Sequence, residues 1–228
     1  MLILAVDTTT SGGSVALLED GTLLGEANVE SAVTHSARLF RSIDFLMGAL
    51  GRDIKDVDGY AVAAGPGSFT GIRIGIGAVK SLAFASGKPA APVSTLLALA
   101  SKLASEGTPL VCPVLDAKKG EIYAGLFETR GGDLVEIVPQ GAYGPEAFLA
   151  RLPSGRAIAF AGSGVAAYRA GILSHAGDQA RFPGRSPFIA AEIGRIGAGL
   201  LRAGRGVDAA SLEPLYFRRS QAEETCRT

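Results

Sequence analysis

The fold is decided by the run Leu2-Ile3-Leu4-Ala5-Val6-Asp7, in which five apolar residues end at an acid. A short continuous apolar run of this kind predicts a buried strand. The segments Ser14–Leu18 and Thr22–Val29 flank the turn Asp20-Gly21, which is typical of a hairpin because glycine readily adopts a positive φ. The chain is therefore predicted to begin with three strands.

Helical spacing of apolar residues follows these strands. A helix capped by Thr34 carries its apolar residues from Leu39 to Leu50 and ends at Gly51. The remaining elements predicted before residue 108 are a strand Gly59–Ala64, a helix Phe69–Ser86 ended by Gly87, and a helix capped by Ser94 that runs to about Ser105.

The same order of elements begins again at Leu110. A strand Leu110–Leu115 ends at Asp116, as the first strand ends at Asp7. The elements predicted after it are strands Glu121–Glu128 and Leu134–Val138, a helix near Pro145–Leu152, a strand Ala157–Ala161 and a helix opened by Gly162-Ser163-Gly164. This duplication predicts two similar α/β lobes, residues 1–108 and 109–228, with a cleft between them. We leave open that the last stretch crosses back to the first lobe.

The composition is that of a globular protein without the basic excess of a dedicated nucleic-acid binder. Hydrophobic residues make up 47%, and 22 Lys and Arg balance 22 Asp and Glu. Residues 1–150 carry 11 basic and 16 acidic side chains, whereas residues 151–228 carry 11 and 6. Two interpretations stay open: an ordinary surface imbalance, or a C-terminal part that faces an acidic partner or a polyanion such as RNA.

Several site classes are disfavoured by the scarcity of the residues that they need. Cys112 and Cys226 have no paired spacing, so neither a disulfide framework nor a zinc ribbon is expected. His35 and His175 are the only histidines, which leaves almost no candidates for a catalytic metal or a Ser–His–Asp triad. We expect a cytoplasmic protein without membrane association, because no basic leader and no apolar run of eighteen residues are seen.

Two segments are candidates for phosphate contact. Gly65-Pro66-Gly67-Ser68 lies between a strand and a helix, where backbone N–H groups can hold an anion. Asp7 and Thr9 end the first strand, where two-lobed ATPases place an acid and hydroxyls. For the first segment the alternative is structural, a tight turn that lets the helix pack closely. For the second it is that threonines after a strand are ordinary turn residues.

The helix after the first of these segments contains three glycines, Gly71, Gly75 and Gly77. Each costs about 1 kcal/mol relative to alanine inside a helix, so something must offset the loss. Close packing inside the same lobe and a helix contact with another subunit are both consistent with the pattern.

Five segments together resemble the TsaB family, also called YeaZ. The most specific is Gly65-Pro66-Gly67-Ser68-Phe69-Thr70-Gly71-Ile72-Arg73-Ile74-Gly75, continuing to Gly87-Lys88-Pro89. The others are Leu4-Ala5-Val6-Asp7-Thr8, His35-Ser36, Leu115–Tyr123 and Pro214-Leu215-Tyr216-Phe217-Arg218. They span nearly the whole chain in the family's order.

This resemblance implies an α/β fold with two duplicated lobes of the actin, Hsp70 and sugar-kinase (ribonuclease H-like) type. It implies a non-catalytic dimerisation or scaffold subunit that supports the metal-bearing transferase TsaD, its paralogue, in making tRNA N6-threonylcarbamoyladenosine at A37. The resemblance further implies that a TsaE-like ATPase joins the assembly, that tRNA is contacted only through the complex, and that the chain forms a homodimer when alone. No cofactor of its own is implied; ATP or ADP would lie at the complex interface.

The resemblance also accounts for the scarcity of histidine. TsaD-like sequences carry metal-binding histidines in a segment whose register here reads Val93–Leu99, so Thr95 and Leu99 stand where histidines would be. A hydroxyl and an isobutyl group cannot replace two imidazoles, which implies that the metal belongs to the TsaD-like partner.

In TsaB-like proteins the first two helices contact the paralogue, and the same surface can serve a homodimer. The residues that this implies here are Leu39, Phe40, Ile43 and Met47 on the first helix and Phe69, Thr70, Ile72, Arg73, Gly75 and Ile76 on the second. Two other functions stay open: an ATP-binding phosphotransferase or ATPase that uses Asp7 and Gly65–Ser68, and a metal-dependent, glycoprotease-like peptidase.

Overall fold

The computed structural model describes residues 1–10, 12–30, 35–104 and 107–217, and of residues 35 and 36 only the backbone. The strands are β1 Leu2–Asp7, β2 Gly13–Glu19, β3 Thr22–Val29, β4 Gly59–Gly65, β5 Ala90–Ser94, β6 Leu110–Lys118, β7 Glu121–Arg130, β8 Asp133–Tyr143, β9 Ile158–Ala161 and β10 Ala180–Arg181. The helices are α1 His35–Ala49, α2 Phe69–Ser86, α3 Thr95–Ala104, α4 Pro145–Leu149, α5 Gly164–Ala176 and α6 Ala190–Arg202. The predicted cap Thr34 lies outside the described residues.

The chain divides into two compact units. The first comprises Met1–Lys102 with Gly184–Pro214, and the second comprises Leu103–Pro183 with, among the described residues, 215–217. The division after residue 102 therefore precedes the expected one at 108. Residues 184–214, expected in the range 109–228, belong to the first unit and bring α6 to it.

The first unit is built on a five-stranded sheet in the order β3-β2-β1-β4-β5. β1 pairs antiparallel with β2 and parallel with β4. Asp20 and Gly21 have φ values of 52° and 85°, so the β2–β3 turn has the positive φ at both central positions that the Asp-Gly pair predicts.

The alternation of side chains along β1 separates two layers of helices. Leu2, Leu4 and Val6 join a core cluster with α1 and α2. Ala5, between them in sequence, lies on the opposite side, where it faces Gly194 of α6. Helices therefore cover both faces of this sheet, and every side chain of β1 is buried.

The second unit repeats the first topology. Its sheet has the order β10-β9-β6-β7-β8. Read in the opposite direction, this is the order of the first sheet, with β8, β7, β6, β9 and β10 in the places of β3, β2, β1, β4 and β5. β6 pairs antiparallel with β7 and parallel with β9, as β1 pairs with β2 and β4. Phe148 of α4 and Phe160 of β9 are fully buried in its core. The predicted duplicated α/β fold is confirmed.

The two strands that sequence analysis omitted and the strand that it shortened most lie at sheet edges, whereas the central strand β6 extends three residues beyond the predicted Leu115. β5 and β10 were not predicted, and β8 extends to Tyr143 instead of ending at Val138. Proline residues Pro92 and Pro139 lie within β5 and β8, where they weaken the strand signal. An edge strand tolerates proline because one side of its backbone needs no ladder hydrogen bond.

Candidate functional site

A group of buried polar residues lies where β1 ends. Asp7, Thr8 and Thr9 are each at most 2% exposed. Asp7 Oδ1 accepts hydrogen bonds from the Thr9 backbone N–H at 2.9 Å and from Thr9 Oγ1 at 2.6 Å. Burial raises the pKa of the Asp7 carboxyl above its usual range, and the hydrogen bonds from Thr9 act in the opposite direction.

Thr8 lies directly against the glycine-containing face of α2. Its hydroxyl donates a hydrogen bond of 2.7 Å to the carbonyl oxygen of Gly71. A Cβ added at Gly71 would lie 1.9 Å from the Thr8 carbonyl oxygen, and one at Gly75 would lie 2.4 Å from Thr8 Oγ1. Two of the three helical glycines therefore let α2 approach the end of β1.

The turn that enters α2 is attached to Thr9 in the same way. The Ser68 N–H donates to the Thr9 carbonyl oxygen at 2.7 Å, and a Cβ on Gly67 would lie 2.5 Å from that oxygen. Ser68 Oγ accepts a hydrogen bond from the Gly71 N–H at 3.2 Å and so caps α2. Gly65 precedes this turn with a φ of 121°, which favours glycine.

The structure thus brings the predicted phosphate-contacting residues together. Asp7 bonds to Thr9, Thr9 contacts Gly67 and Ser68, and Gly65 ends β4 at the start of the same turn. The polar groups described above bond to one another and to the first turn of α2. These contacts are those of the structural alternative, a tight turn with close helix packing, and phosphate contact stays a prediction.

On α1 the structure corrects the predicted interface. Leu39, Ile43 and Met47 are at most 5% exposed and pack in the core of the first unit, so they are not available to a partner. Phe40 is 50% exposed and stays a candidate. Phe45, which sequence analysis missed, is 69% exposed.

A similar correction applies to α2. Ile72, Gly75 and Ile76 are buried within the first unit, because this side of the helix covers the sheet. Thr70 and Arg73 are exposed, Phe69 is half-buried, and the Arg73 guanidinium lies 5.0 Å from the centre of the Phe69 ring. Phe84, which was not predicted, is 84% exposed.

The missed aromatic residues carried a signal in the sequence. Phe45 and Phe84 fall outside the helical stripes of apolar residues that fill the core, so their positions already pointed away from it. α1 and α2 contact each other and pack in one core cluster over the same sheet. We use the name exposed helix face for the set of exposed side chains Phe40, Phe45, Thr70, Arg73 and Phe84, which lie on more than one side of these two helices.

The two positions that replace histidines of TsaD-like sequences are both buried. Thr95 begins α3 and is 1% exposed, and Leu99, one turn later, is 5% exposed. Thr95 Oγ1 has no hydrogen-bond partner in the described part of the chain. Within the same ranges, no three His, Cys, Asp or Glu side chains are close enough together to hold a metal ion.

The basic excess of residues 151–228 does not belong to one unit. Arg185, Arg195, Arg202 and Arg205 lie in the segment that returns to the first unit. The C-terminal basic surface suggested by the charge count is therefore divided between the units. Among the described helices, none has both the length and the apolar character needed to cross a membrane.

Similarities to known proteins give first the class and then the family. The ROK hexokinase of Thermus thermophilus shares the fold, with a TM-score of 0.54 over 89% of this chain and all of that chain, at 11% identity. The protein thus has a two-unit α/β fold of the actin and sugar-kinase type. YeaZ from Pseudomonas aeruginosa matches at a TM-score of 0.81 and 30% identity, covering 94% of this chain and 99% of that chain.

Sequence relatives agree with this structural match. Residues 29–193 match the family model "TsaD: tRNA N6-adenosine threonylcarbamoyltransferase". The tRNA threonylcarbamoyladenosine biosynthesis protein TsaB of Bacillus subtilis is 34% identical over 139 residues, which cover 61% of this chain and 60% of the relative. The chain belongs to the TsaB (YeaZ) family. The aligned segment spans less than two thirds of that relative's length.

Proposed function

We propose that this chain is a non-catalytic subunit that binds and supports a TsaD-like transferase in the N6-threonylcarbamoyladenosine modification of tRNA. Family membership and the match of residues 29–193 to the transferase model support this role. A paralogue with the same fold is a natural partner, because related chains often pair through equivalent surfaces.

The observation that carries the proposal is the exposed helix face. Phe45 and Phe84 expose 69% and 84% of their surface on two helices that contact each other. Burying a phenylalanine side chain contributes about 1.5–3 kcal/mol, so two such residues can dominate a subunit contact. Arg73 is an exposed cation on α2, and it favours a partner that presents carboxylates as well as apolar residues.

The test is a binding titration with the TsaD-like paralogue from the same cell. Phe45→Ser and Phe84→Ser should each weaken the complex about tenfold or more. Leu173→Ser is the matched control, because Leu173 is an apolar residue of α5 that is 43% exposed in the second unit. Unchanged affinity in both phenylalanine variants would contradict the assignment of this surface.

The isolated chain is expected to bind neither a metal ion nor a nucleotide. ATP or ADP is expected at the interface with the partner, and the metal in the TsaD-like subunit. A TsaE-like ATPase completes the assembly, and the isolated chain forms a homodimer through the exposed helix face. Saturable binding of magnesium ATP by the isolated chain would instead favour an ATP-binding phosphotransferase.

A further inference from the structure

Thr8, the residue after β1, makes a side-chain hydrogen bond to the first turn of α2. Its hydroxyl donates to the Gly71 carbonyl oxygen at 2.7 Å and is buried. Gly71 and Gly75, one turn apart, both lack the Cβ that would collide with Thr8. The side chain is therefore enclosed by the helix backbone on the side of α2 that faces away from solvent.

We propose that Thr8 is a positioning residue for the partner-binding surface, and this inference rests on the proposed function. Thr70 and Arg73 of the exposed helix face lie in the same two turns of α2 as Gly71 and Gly75. A helix is stiff over such a short distance, so a shift of the backbone at Gly71 moves Thr70 and Arg73 with it. Thr8 thereby sets the geometry in which the exposed helix face meets its partner.

The neighbouring residues strengthen this attachment. The Thr9 carbonyl oxygen accepts from the Ser68 N–H, and Thr9 is itself held by two hydrogen bonds to Asp7. Three successive residues at the end of β1 thus act together on the start of α2. In this interpretation Asp7 and Thr9, which were expected to contact phosphate, instead hold the start of α2 in position.

The experiment compares Thr8→Val, which keeps the shape but removes the hydroxyl, with Thr8→Ser, which keeps the hydroxyl. Ser14→Ala is the control, because Ser14 is also buried and its Oγ accepts from the Ala190 N–H at 3.2 Å, on the side of the sheet covered by α6. Affinity for the TsaD-like paralogue and the melting temperature are measured for each variant. Hydrogen exchange of residues 69–75 is followed in the isolated chain.

Thr8→Val should bind the paralogue about five- to tenfold more weakly, because loss of one buried hydrogen bond displaces the helix that binds. Thr8→Ser should bind as the unmodified chain does, and Ser14→Ala should lose melting temperature without losing affinity. Equal affinity of Thr8→Val and the unmodified chain would overturn the inference. If the unmodified chain does not bind the paralogue, the proposed function fails. The positioning role has its own test in the isolated chain: equal hydrogen-exchange rates of residues 69–75 in Thr8→Val and Ser14→Ala would overturn it.

Discussion

Thr8, the residue after β1, and Gly71 of α2 have their backbones in direct contact: a Cβ on Gly71 would lie 1.9 Å from the Thr8 carbonyl oxygen. Gly77, further along the same helix, is exposed, and a Cβ added there would have no atom within 4 Å. The same substitution at the two sites should therefore have opposite effects.

Gly71→Ala is expected to lower the free energy of unfolding by about 3 kcal/mol or more, because backbone cannot yield as a flexible side chain can. Gly77→Ala is expected to raise it by up to about 1 kcal/mol through helix propensity. Urea unfolding of both variants measures the difference. A Gly71→Ala variant as stable as the unmodified chain would show that α2 does not lie against Thr8.

The buried carboxyl of Asp7 makes a pH-dependent contribution to stability. Its pKa is raised on folding, so the folded state keeps a proton that the unfolded state loses above a pH of about 3.9. The stability that this group provides at low pH is lost as the pH rises through the raised pKa. Asp7→Asn should be at least as stable as the unmodified chain at pH 7. Any gain in its free energy of unfolding over the unmodified chain should become smaller as the pH falls towards 4.

Asp208 provides a control of opposite sign for this pH series. The hydrogen bond from the Ser211 N–H lowers the pKa of Asp208, so its contribution to stability is present above the unfolded pKa and is lost as the pH falls through the lowered pKa. Asp208→Asn should therefore lose stability at pH 7 and approach the unmodified chain in acid. Thermal unfolding of both variants from pH 7 down to about pH 2.5, which lies below the unfolded pKa of an aspartate, checks the two directions, and equal pH profiles would contradict them.

The returning helix α6 should be essential to the first unit. A Cβ on Gly197 would lie 2.4 Å from the Ala61 Cβ, whereas Gly199 on the same helix has nothing within 4 Å of that position. Gly197→Ala should cost about 1–3 kcal/mol of stability, and Gly199→Ala should not reduce it. Chemical unfolding distinguishes the two, and equal stability of both variants would contradict the packing of α6 on β4.

The buried thiol of Cys112 reports on the second unit. Burial raises its pKa well above the usual range, so the reactive thiolate is scarce in the folded chain. In a Cys226→Ser variant, iodoacetamide should modify Cys112 only as the second unit unfolds. Rapid modification without denaturant would show that this core is open.

Much of the fold could be predicted from local patterns. The apolar run before Asp7, the Asp20-Gly21 turn and the helix between Ser68 and Gly87 each carry their own signal, and α2 has the predicted bounds. The edge strand β5 was missed because Pro92 weakens its pattern, although the parallel neighbour β4 supplies its pairing. The return of residues 184–214 to the first unit depends on packing between distant segments, which local periodicity does not record.

The candidate interface was predicted less completely than the fold. Helical periodicity identified the apolar stripe of Leu39, Ile43 and Met47. The apolar stripe of an amphipathic helix usually packs against the core of its own domain, and these three residues do so here. Phe45 and Phe84 lie off such stripes, and the structure shows that they are exposed. The roles of Gly71 and Gly75 became clear only from the position of Thr8, 63 residues away from Gly71 in sequence.

The most direct test of the proposed function is size-exclusion chromatography with mass determination on this chain and its TsaD-like paralogue. We expect one stable heteromeric peak in the mixture, which Phe84→Ser diminishes and Leu173→Ser leaves intact. Separate elution of the two proteins, with and without added ATP, would contradict the proposed function.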